Sequence, residues 1–314
     1  MSSIAVVGCG YWGRNLVRNF GELGALGAVV DADEAAARRE GEKFAAPALT
    51  LEAALAAPAI AGIAIAAPAE HHAAIALAAF NAGKHVYVEK PIALTLADGE
   101  RMQAAALAAK RVLMVGHLLQ YHPAFVTLLG MVRAGELGAL RYAYSNRLSL
   151  GKVRLEENAL WSFAPHDVSM LLALFGAEPA KVTGSGGAYL TPGIEDEYRL
   201  DMHFADGRHA HVFASWLHPF KEHRLVVIGE KAMAVFEDSA PAEQKLRLYR
   251  HQIDASARPP LPKAATVEPV PYPAAEPLKE ECAHFIECVR TGATPRTDGA
   301  EGLRVLRVLT QVSA

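Results

Sequence analysis

The chain has 314 residues, more than one hydrophobic core comfortably serves, so two domains are expected, and a hydrophobic fraction of 52% is enough to fill both. A net charge of −3 with no basic run excludes nucleic acid or an anionic membrane surface as the main partner. Cys9, Cys282 and Cys288 make no disulfide framework, and with no signal peptide and no apolar stretch long enough to span a bilayer a cytoplasmic location is expected.

The first predicted element is a buried strand from Ile4 to Val7, followed at once by Gly8-Cys9-Gly10-Tyr11-Trp12-Gly13 and then by helical spacing from Arg14 to Phe20. A GxGxxG repeat is weak by itself, but between a strand and a helix it reads as a pyrophosphate cradle. Gly8 permits the tight turn, Gly10 lets the backbone approach the pyrophosphate, Gly13 allows helix and strand to pack closely, and the helix N-terminus faces the negative charge. A second strand, over residues 25–30, ends on Asp31. Its carboxylate would accept hydrogen bonds from both adenosine ribose hydroxyls, or alternatively cap the helix that starts near Glu34. Asp33 adds to the repulsion of a 2′-phosphate, and Arg38 and Arg39 lie inside the next helix and not at the strand end, so NAD is expected over NADP.

The alternation continues with strands over 63–66, 85–88 and 112–115 and helices over 70–82 and 96–110, implying a parallel sheet with right-handed crossovers. Ala67-Pro68 closes the third strand at the carboxyl edge, where a bound cofactor passes. His71 and His72 in the next helix read as capping or surface residues, and Gly83 as its C-cap. Glu89-Lys90-Pro91 ends the following strand on an ionisable amine where a nicotinamide would lie. Burial and a cationic nicotinamide would lower the pKa of that amine, which makes Lys90 the expected base for a substrate hydroxyl. Pro91 leaves a cis or a trans peptide open at this point.

After Gly116-His117 the pattern changes. A helix over 123–134 precedes segments at 140–149, 181–189, 197–204, 209–216, 222–228 and 232–236, most with a period of two, which fits a largely antiparallel sheet. A helix from Pro165 to Leu174 interrupts them, the Pro-rich stretch 258–277 reads as a surface excursion, and helices over 278–291 and 299–312 close the chain. The expected fold is α/β, with a dinucleotide-binding domain over 1–117 and an α+β domain built on a largely antiparallel open sheet over 118–314. Arg147, Lys152 and Arg154 cluster before the interrupting helix, where arginine forks suit phosphate oxygens and Asn158 and Trp161 add polar and stacking contacts. Arg154-Leu155-Glu156-Glu157 reads equally well as a solvated loop. Neither His203, His209 and His211 nor Cys282, His284 and Cys288 close a tetrahedral site, so no metal is expected.

With these motifs in place, the chain resembles the glucose-fructose oxidoreductase, inositol dehydrogenase and rhizopine-catabolism family over nearly its whole length. The resemblance rests on the glycine motif, His72 with Ala82-Gly83-Lys84-His85-Val86, Glu89-Lys90-Pro91, and the closing Pro295-Arg296-Thr297-Asp298-Gly299. It implies an N-terminal Rossmann domain and a C-terminal domain whose open sheet covers the active site on one face and packs in homodimers or homotetramers on the other. It also implies NAD contacts from Gly8, Gly10, Tyr11, Trp12, Gly13, Asp31, Ala67, Pro68, His72, Glu89 and Lys90, with Glu89 on the nicotinamide-side ribose.

For catalysis the resemblance implies a histidine that shares the substrate hydroxyl with the lysine, here His166. The aspartate found four residues earlier in family members is Ser162 in this chain, so either the adjacent Asp167 serves as a different partner or the proton passes through Lys90 and His166 without a carboxylate. The segments Tyr144-Ser145-Asn146-Arg147 and Trp161-Ser162-Phe163-Ala164-Pro165-His166-Asp167 look like the nucleotide-sugar branch. That branch implies oxidation of the 3-hydroxyl of a UDP-N-acetyl-hexosamine such as UDP-GlcNAc, with Lys90, Arg147, Lys152, Arg154, Asn158, Trp161, His166 and Asp167 around the substrate and an aminotransferase acting on the 3-keto product. An aldose or cyclitol dehydrogenase and a non-catalytic NAD-sensing protein are the alternatives, and Lys90 argues against the last.

Overall fold

Strand β1 (Ser3–Val7) carries four consecutive buried apolar residues and turns through the glycine motif into helix α1 (Gly13–Glu22). Then come β2 (Leu26–Val30), α2 (Glu34–Glu42), α3 (Leu51–Ala56), β3 (Ile60–Ile65), α4 (His72–Asn81), β4 (His85–Glu89), α5 (Leu96–Ala109) and β5 (Leu113–Gly116). The computed structural model describes residues 3–151, 153–254 and 256–312. The five strands pair in parallel in the order β2-β1-β3-β4-β5. A single parallel bridge from Ala48 to Val29 extends the sheet beyond β2, so that, counting this bridge as a strand, the order is 3-2-1-4-5-6. In such doubly wound sheets ligands bind past the carboxyl ends of the strands, where the order reverses.

Local chemistry starts the helices where they are needed. Asp33 accepts from the N–H groups of Ala35 and Ala36 at α2, Thr50 from Ala53 at α3, and Thr95 from Asp98 at α5. Lys84, just before β4, is buried, and its ammonium donates to the carbonyls of Ala57 and Ile60 at 2.7 Å each. This motif lysine therefore closes the turn into β3.

The rest of the chain forms α6 (Pro123–Arg133), β6 (Leu140–Leu150), α7 (Ala159–Phe175), β7 (Lys181–Gly187), β8 (Glu197–His203), β9 (His209–Ser215), β10 (Leu217–Gly229), β11 (Met233–Glu237), β12 (Leu246–Tyr249), β13 (Gln252–Asp254), β14 (Leu261–Lys263), β15 (Val267–Pro269), α8 (Pro277–Thr291) and α9 (Gly299–Thr310). Eight strands make one sheet in the order β15-β12-β11-β10-β6-β9-β8-β7, antiparallel except where β6 lies parallel to β9. Helix α7 packs on β6, β8 and β9. On alternate positions that do not face the buried side, Tyr142 stacks on His209 at 5.3 Å between ring centroids and Tyr144 on His211 at 5.4 Å. That gives two of the unassigned histidines an aromatic partner. No helix among the described residues is long and apolar enough to cross a membrane.

The chain divides into two compact units, one running to Tyr121 and including Ala275–Arg307, the other His122–Ala274 with the residues after Arg307. The sequence reading had placed everything after 117 in the second domain. Helix α8 belongs instead to the first unit, because Phe285 meets the rings of Phe20 and Tyr87 edge-on at 6.4 and 5.8 Å. The closing motif binds there too: Thr297 Oγ1 donates to Val115 O at 2.7 Å, and Arg296 lies over the Tyr121 ring. Other differences are local. Helix α7 starts at Ala159, capped by Asn158, and carries Pro165 in its interior where the sequence suggested a start. The Pro-rich stretch contributes β14 and the sheet-edge strand β15. Helix α3 and strand β12 were not anticipated.

Candidate active site

Parallel pairing aligns the functional residues of the first unit. Val30, Val7, Ile65 and Val88 form one row across β2, β1, β3 and β4. The next residue of each strand is therefore Asp31, Gly8, Ala66 and Glu89, and Glu89 pairs with Gly116 of β5. Lys90 follows one step beyond, half-buried, and its peptide to Pro91 is cis.

The glycine turn has the stereochemistry the motif needs. Gly8 has φ +89°, and a Cβ there would sit 2.8 Å from the Ala66 backbone; a Cβ on Gly13 would sit 1.9 Å from Gly8 O. At Gly10, by contrast, the position of a Cβ has no neighbour within 4 Å. This open backbone at the start of α1 is what a pyrophosphate requires, so the residues present fit a dinucleotide.

Asp31 is held as an acceptor. Its Oδ2 takes the Cys9 N–H at 2.7 Å and the Cys9 thiol at 3.2 Å, and its Oδ1 takes the Asp33 N–H at 2.9 Å. Burial pushes this carboxyl up, but the combined donors outweigh it and leave Asp31 below the ordinary carboxylate value. Burial and Asp31 together push the Cys9 thiol up to about 12, so Cys9 is no nucleophile. The helix cap is Asp33, not Asp31. Arg38 and Arg39 do line a surface cavity with Asp33, closer to the strand end than the sequence suggested, but Arg38 pairs with Glu34 and Arg39 lies 3.9 Å from Glu40.

His72 is neither a cap nor a surface residue; His71 is the exposed one. The His72 ring is buried, with Nδ1 2.9 Å from Pro91 O and Nε2 3.0 Å from Ala67 O, so it joins the turn after β3 to the turn after β4. Burial holds its pKa down, and a neutral ring donates to one carbonyl at a time. Ala67 and Pro68 thus stand where expected, fixed from behind. Tyr11 is 83% exposed, while Trp12 turns back and donates its indole N–H to Glu89 Oε1 at 2.6 Å.

In the second unit the described members of the basic cluster, Arg147 and Arg154, both have carboxylate partners. Arg147 is buried beside α7, and its fork is filled by the fully buried Asp167, through Nε at 2.5 Å to Oδ2 and Nη2 at 3.1 Å to Oδ1. Ser145 donates to the same carboxylate at 2.6 Å. Arg147 is therefore engaged internally, and both oxygens of Asp167 accept from Arg147, one of them also from Ser145. The alternation of β6 explains this, since it turns Ala143, Ser145 and Arg147 to the buried side. Arg154 forms an exposed pair with Glu157 at 3.1 Å, and Lys152 lies outside the described residues. Asn158 caps α7 by accepting from Trp161 N and donates its amide to Glu195, so it too is engaged internally. His166 and Trp161 are half-buried on α7, one turn on from and one residue before the buried Ser162.

Sequence reasoning missed Tyr87 and Glu281, which form one buried chain with Glu89, and the buried His117–Glu301 pair at 2.6 Å. One signal was available: Glu281 interrupts the apolar stripe Leu278, Cys282, Phe285 and Cys288 of α8. Among the described residues no group of three or more His, Cys, Asp or Glu is arranged to hold a metal ion.

Comparison with known proteins places the chain in a family. The sequence pattern described as oxidoreductase family, NAD-binding Rossmann fold (GFO/IDH/MocA) matches residues 2–117, and that of the GFO/IDH/MocA C-terminal domain matches residues 125–235. UDP-N-acetylglucosamine 3-dehydrogenase of Acidithiobacillus ferrooxidans is 28% identical over 311 residues, 98% of this chain and 95% of that protein. A solved structure of that enzyme aligns with a TM-score of 0.87 at 26% identity, covering 99% of this chain and 96% of that one. Inositol 2-dehydrogenase of Rhizobium meliloti is 25% identical over 295 residues, 90% of this chain and 86% of that protein.

Proposed function

The chain belongs to the GFO/IDH/MocA oxidoreductase family with its NAD-binding Rossmann fold, and from that premise we propose that it oxidises the 3-hydroxyl of a UDP-N-acetyl-hexosamine such as UDP-GlcNAc. The observation that carries dehydrogenase chemistry is the placement of Glu89 and Lys90 just past the strand row that also ends in the glycine cradle. The choice of sugar is supported by similarity to the Acidithiobacillus enzyme over 98% of the chain.

Bound NAD would supply the hydride acceptor for the carbinol carbon. Gly8, Gly10 and Gly13 shape its pyrophosphate site, Asp31 receives the adenosine ribose hydroxyls and disfavours a 2′-phosphate, and Glu89 receives the nicotinamide-side ribose. Lys90 Nζ, as the free amine, takes the hydroxyl proton and holds it as an ammonium. His166 is the histidine that the family resemblance assigns to a substrate hydroxyl. Of the three cations expected at a diphosphate, Arg147 is taken up by Asp167, which leaves the reading to Arg154 and to Lys152, outside the described residues. A homodimer or homotetramer through the eight-stranded sheet, and an aminotransferase acting on the ketone, belong to the same reading.

The experiment is NAD reduction by the purified protein with UDP-GlcNAc, myo-inositol and free aldoses side by side. UDP-GlcNAc should give the highest kcat/KM, with UDP alone as a competitive inhibitor. The engagement of Arg147 by Asp167, with the inositol dehydrogenase relative, favours a cyclitol or aldose as the second reading. Free cyclitols or aldoses turned over as efficiently as UDP-GlcNAc, with no inhibition by UDP, would establish that reading instead.

A further inference from the structure

Tyr87 lies midway along β4 with a carboxyl group on each side of its hydroxyl. Tyr87 Oη is 2.9 Å from Glu89 Oε1 and 3.0 Å from Glu281 Oε2. A phenol has one proton and can donate to only one of them, so towards the other it must accept, which requires that carboxyl to be a protonated acid. The surroundings decide which one. Burial pushes the Glu89 carboxyl up as well, but Glu89 also receives the Trp12 indole N–H at 2.6 Å and is followed in the chain by the cationic side chain of Lys90, both of which oppose that push. Glu281 is fully buried, and its Oε1 has no hydrogen-bond partner among the described residues. The titratable groups facing it are Glu89, Tyr87, Tyr121 and Cys282, none of them a cation. An ionised Glu281 would be a buried charge with no compensation.

We propose that Tyr87 and Glu281 are positioning residues for the cofactor site: Glu281 remains a neutral acid that donates to Tyr87, and Tyr87 in turn donates to the ionised Glu89, fixing its carboxylate beside Lys90. The chain of three side chains holds one negative charge, at the end nearest the sheet edge. Burial first, and then the charge on Glu89, pushes the Glu281 pKa well up, in agreement with this geometry. Room for the arrangement comes from β5, where a Cβ on Gly116 would lie 2.7 Å from Tyr87 Oη and 2.9 Å from Glu89 Oε2. The functional consequence rests on the reading of Glu89 as a ribose ligand; the location of the proton does not.

Infrared spectroscopy of the whole protein without cofactor, at neutral pH, tests the proton. A protonated-carboxyl C=O band should be present, disappear in Glu281→Gln and persist in Glu89→Gln. Absence of the band from the unsubstituted protein, or its loss in Glu89→Gln with retention in Glu281→Gln, overturns the proposal. Calorimetric NAD binding tests the positioning. Tyr87→Phe should weaken NAD about tenfold by removing one charge-assisted hydrogen bond, whereas Glu281→Gln, whose amide still donates to Tyr87, should stay within about twofold. A Glu281→Gln variant as impaired as Tyr87→Phe would overturn it, because a neutral donor at 281 would then be insufficient. Unchanged NAD affinity in Glu89→Gln would instead defeat the ribose reading and leave the infrared result to decide this one.

Discussion

Arg147 presents its guanidinium to Asp167 and not to solvent, which converts an expected ligand contact into an internal one. Removing one partner of a buried pair leaves the other uncompensated, so Arg147→Ala should lower unfolding free energy by roughly 3–5 kcal/mol in urea denaturation. Weaker UDP binding in Arg147→Lys with an unchanged denaturation midpoint would restore its role as a phosphate fork. Lys90 is a half-buried amine just past the end of β4. Lys90→Ala should reduce kcat by on the order of 10²–10⁴ and leave NAD affinity nearly intact, as measured by initial rates and calorimetry. Near-normal kcat would make this lysine structural. Asp31, already accepting three hydrogen bonds from Cys9 and Asp33, stays ionised and should make NAD bind at least about tenfold more tightly than NADP, through repulsion of the extra phosphate. Equal affinities would show that Arg38 and Arg39 outweigh it.

Two glycines of one turn separate folding from binding at the scale of the element. Gly13→Ala would drive a Cβ into Gly8 O at 1.9 Å and should destabilise the turn between β1 and α1 as well as abolish NAD binding. Gly10→Ala meets no protein atom within 4 Å, so its thermal midpoint should be nearly unchanged while NAD affinity falls, because the added methyl occupies the phosphate's place. Equal loss of stability in the two variants would mean that Gly10 serves the turn and not the ligand. Helix α7 depends on its start in the same way. Asn158→Ala removes the acceptor for Trp161 N and the donor to Glu195, and should cost about 1 kcal/mol in denaturation.

For the whole molecule, half-buried histidines with lowered pKa values contribute to acid sensitivity. Burial, with Arg111 nearby, brings His85 down from 6.5 to about 4, and burial with Arg147 brings His223 from 6.5 to about 3. Below pH 6.5 the unfolded chain takes up protons at these rings that the folded protein refuses, so their contribution is complete above pH 6.5 and is lost as pH falls towards about 4 and then about 3. Denaturation midpoints should therefore drop between neutral pH and pH 4, and His223→Gln should flatten the slope. A slope unaffected by replacing both rings would place the acid sensitivity elsewhere.

The order of elements in the first unit, the glycine turn, and the strand ending on Glu89-Lys90 were legible in the sequence, because period-two and period-3.6 apolar patterns and glycine stereochemistry act over a few residues. Resemblance extended that to the family, and Asp31 and Lys90 stand at the strand ends where they were expected. Side-chain partnership was not legible. Whether Arg147 meets phosphate or Asp167 depends on the register of β6 against α7, some twenty residues later in the chain, and whether His72 lies on the surface depends on turns closing around it from β3 and β4. The placement of α8 in the first unit likewise rests on Phe285 reaching Phe20 and Tyr87, a contact between distant parts of the chain. Local pattern determined which strands and turns form, since backbone geometry is decided by neighbours in sequence. Only the tertiary structure decided which charges are neutralised internally, since burial and pairing are decided by neighbours in space.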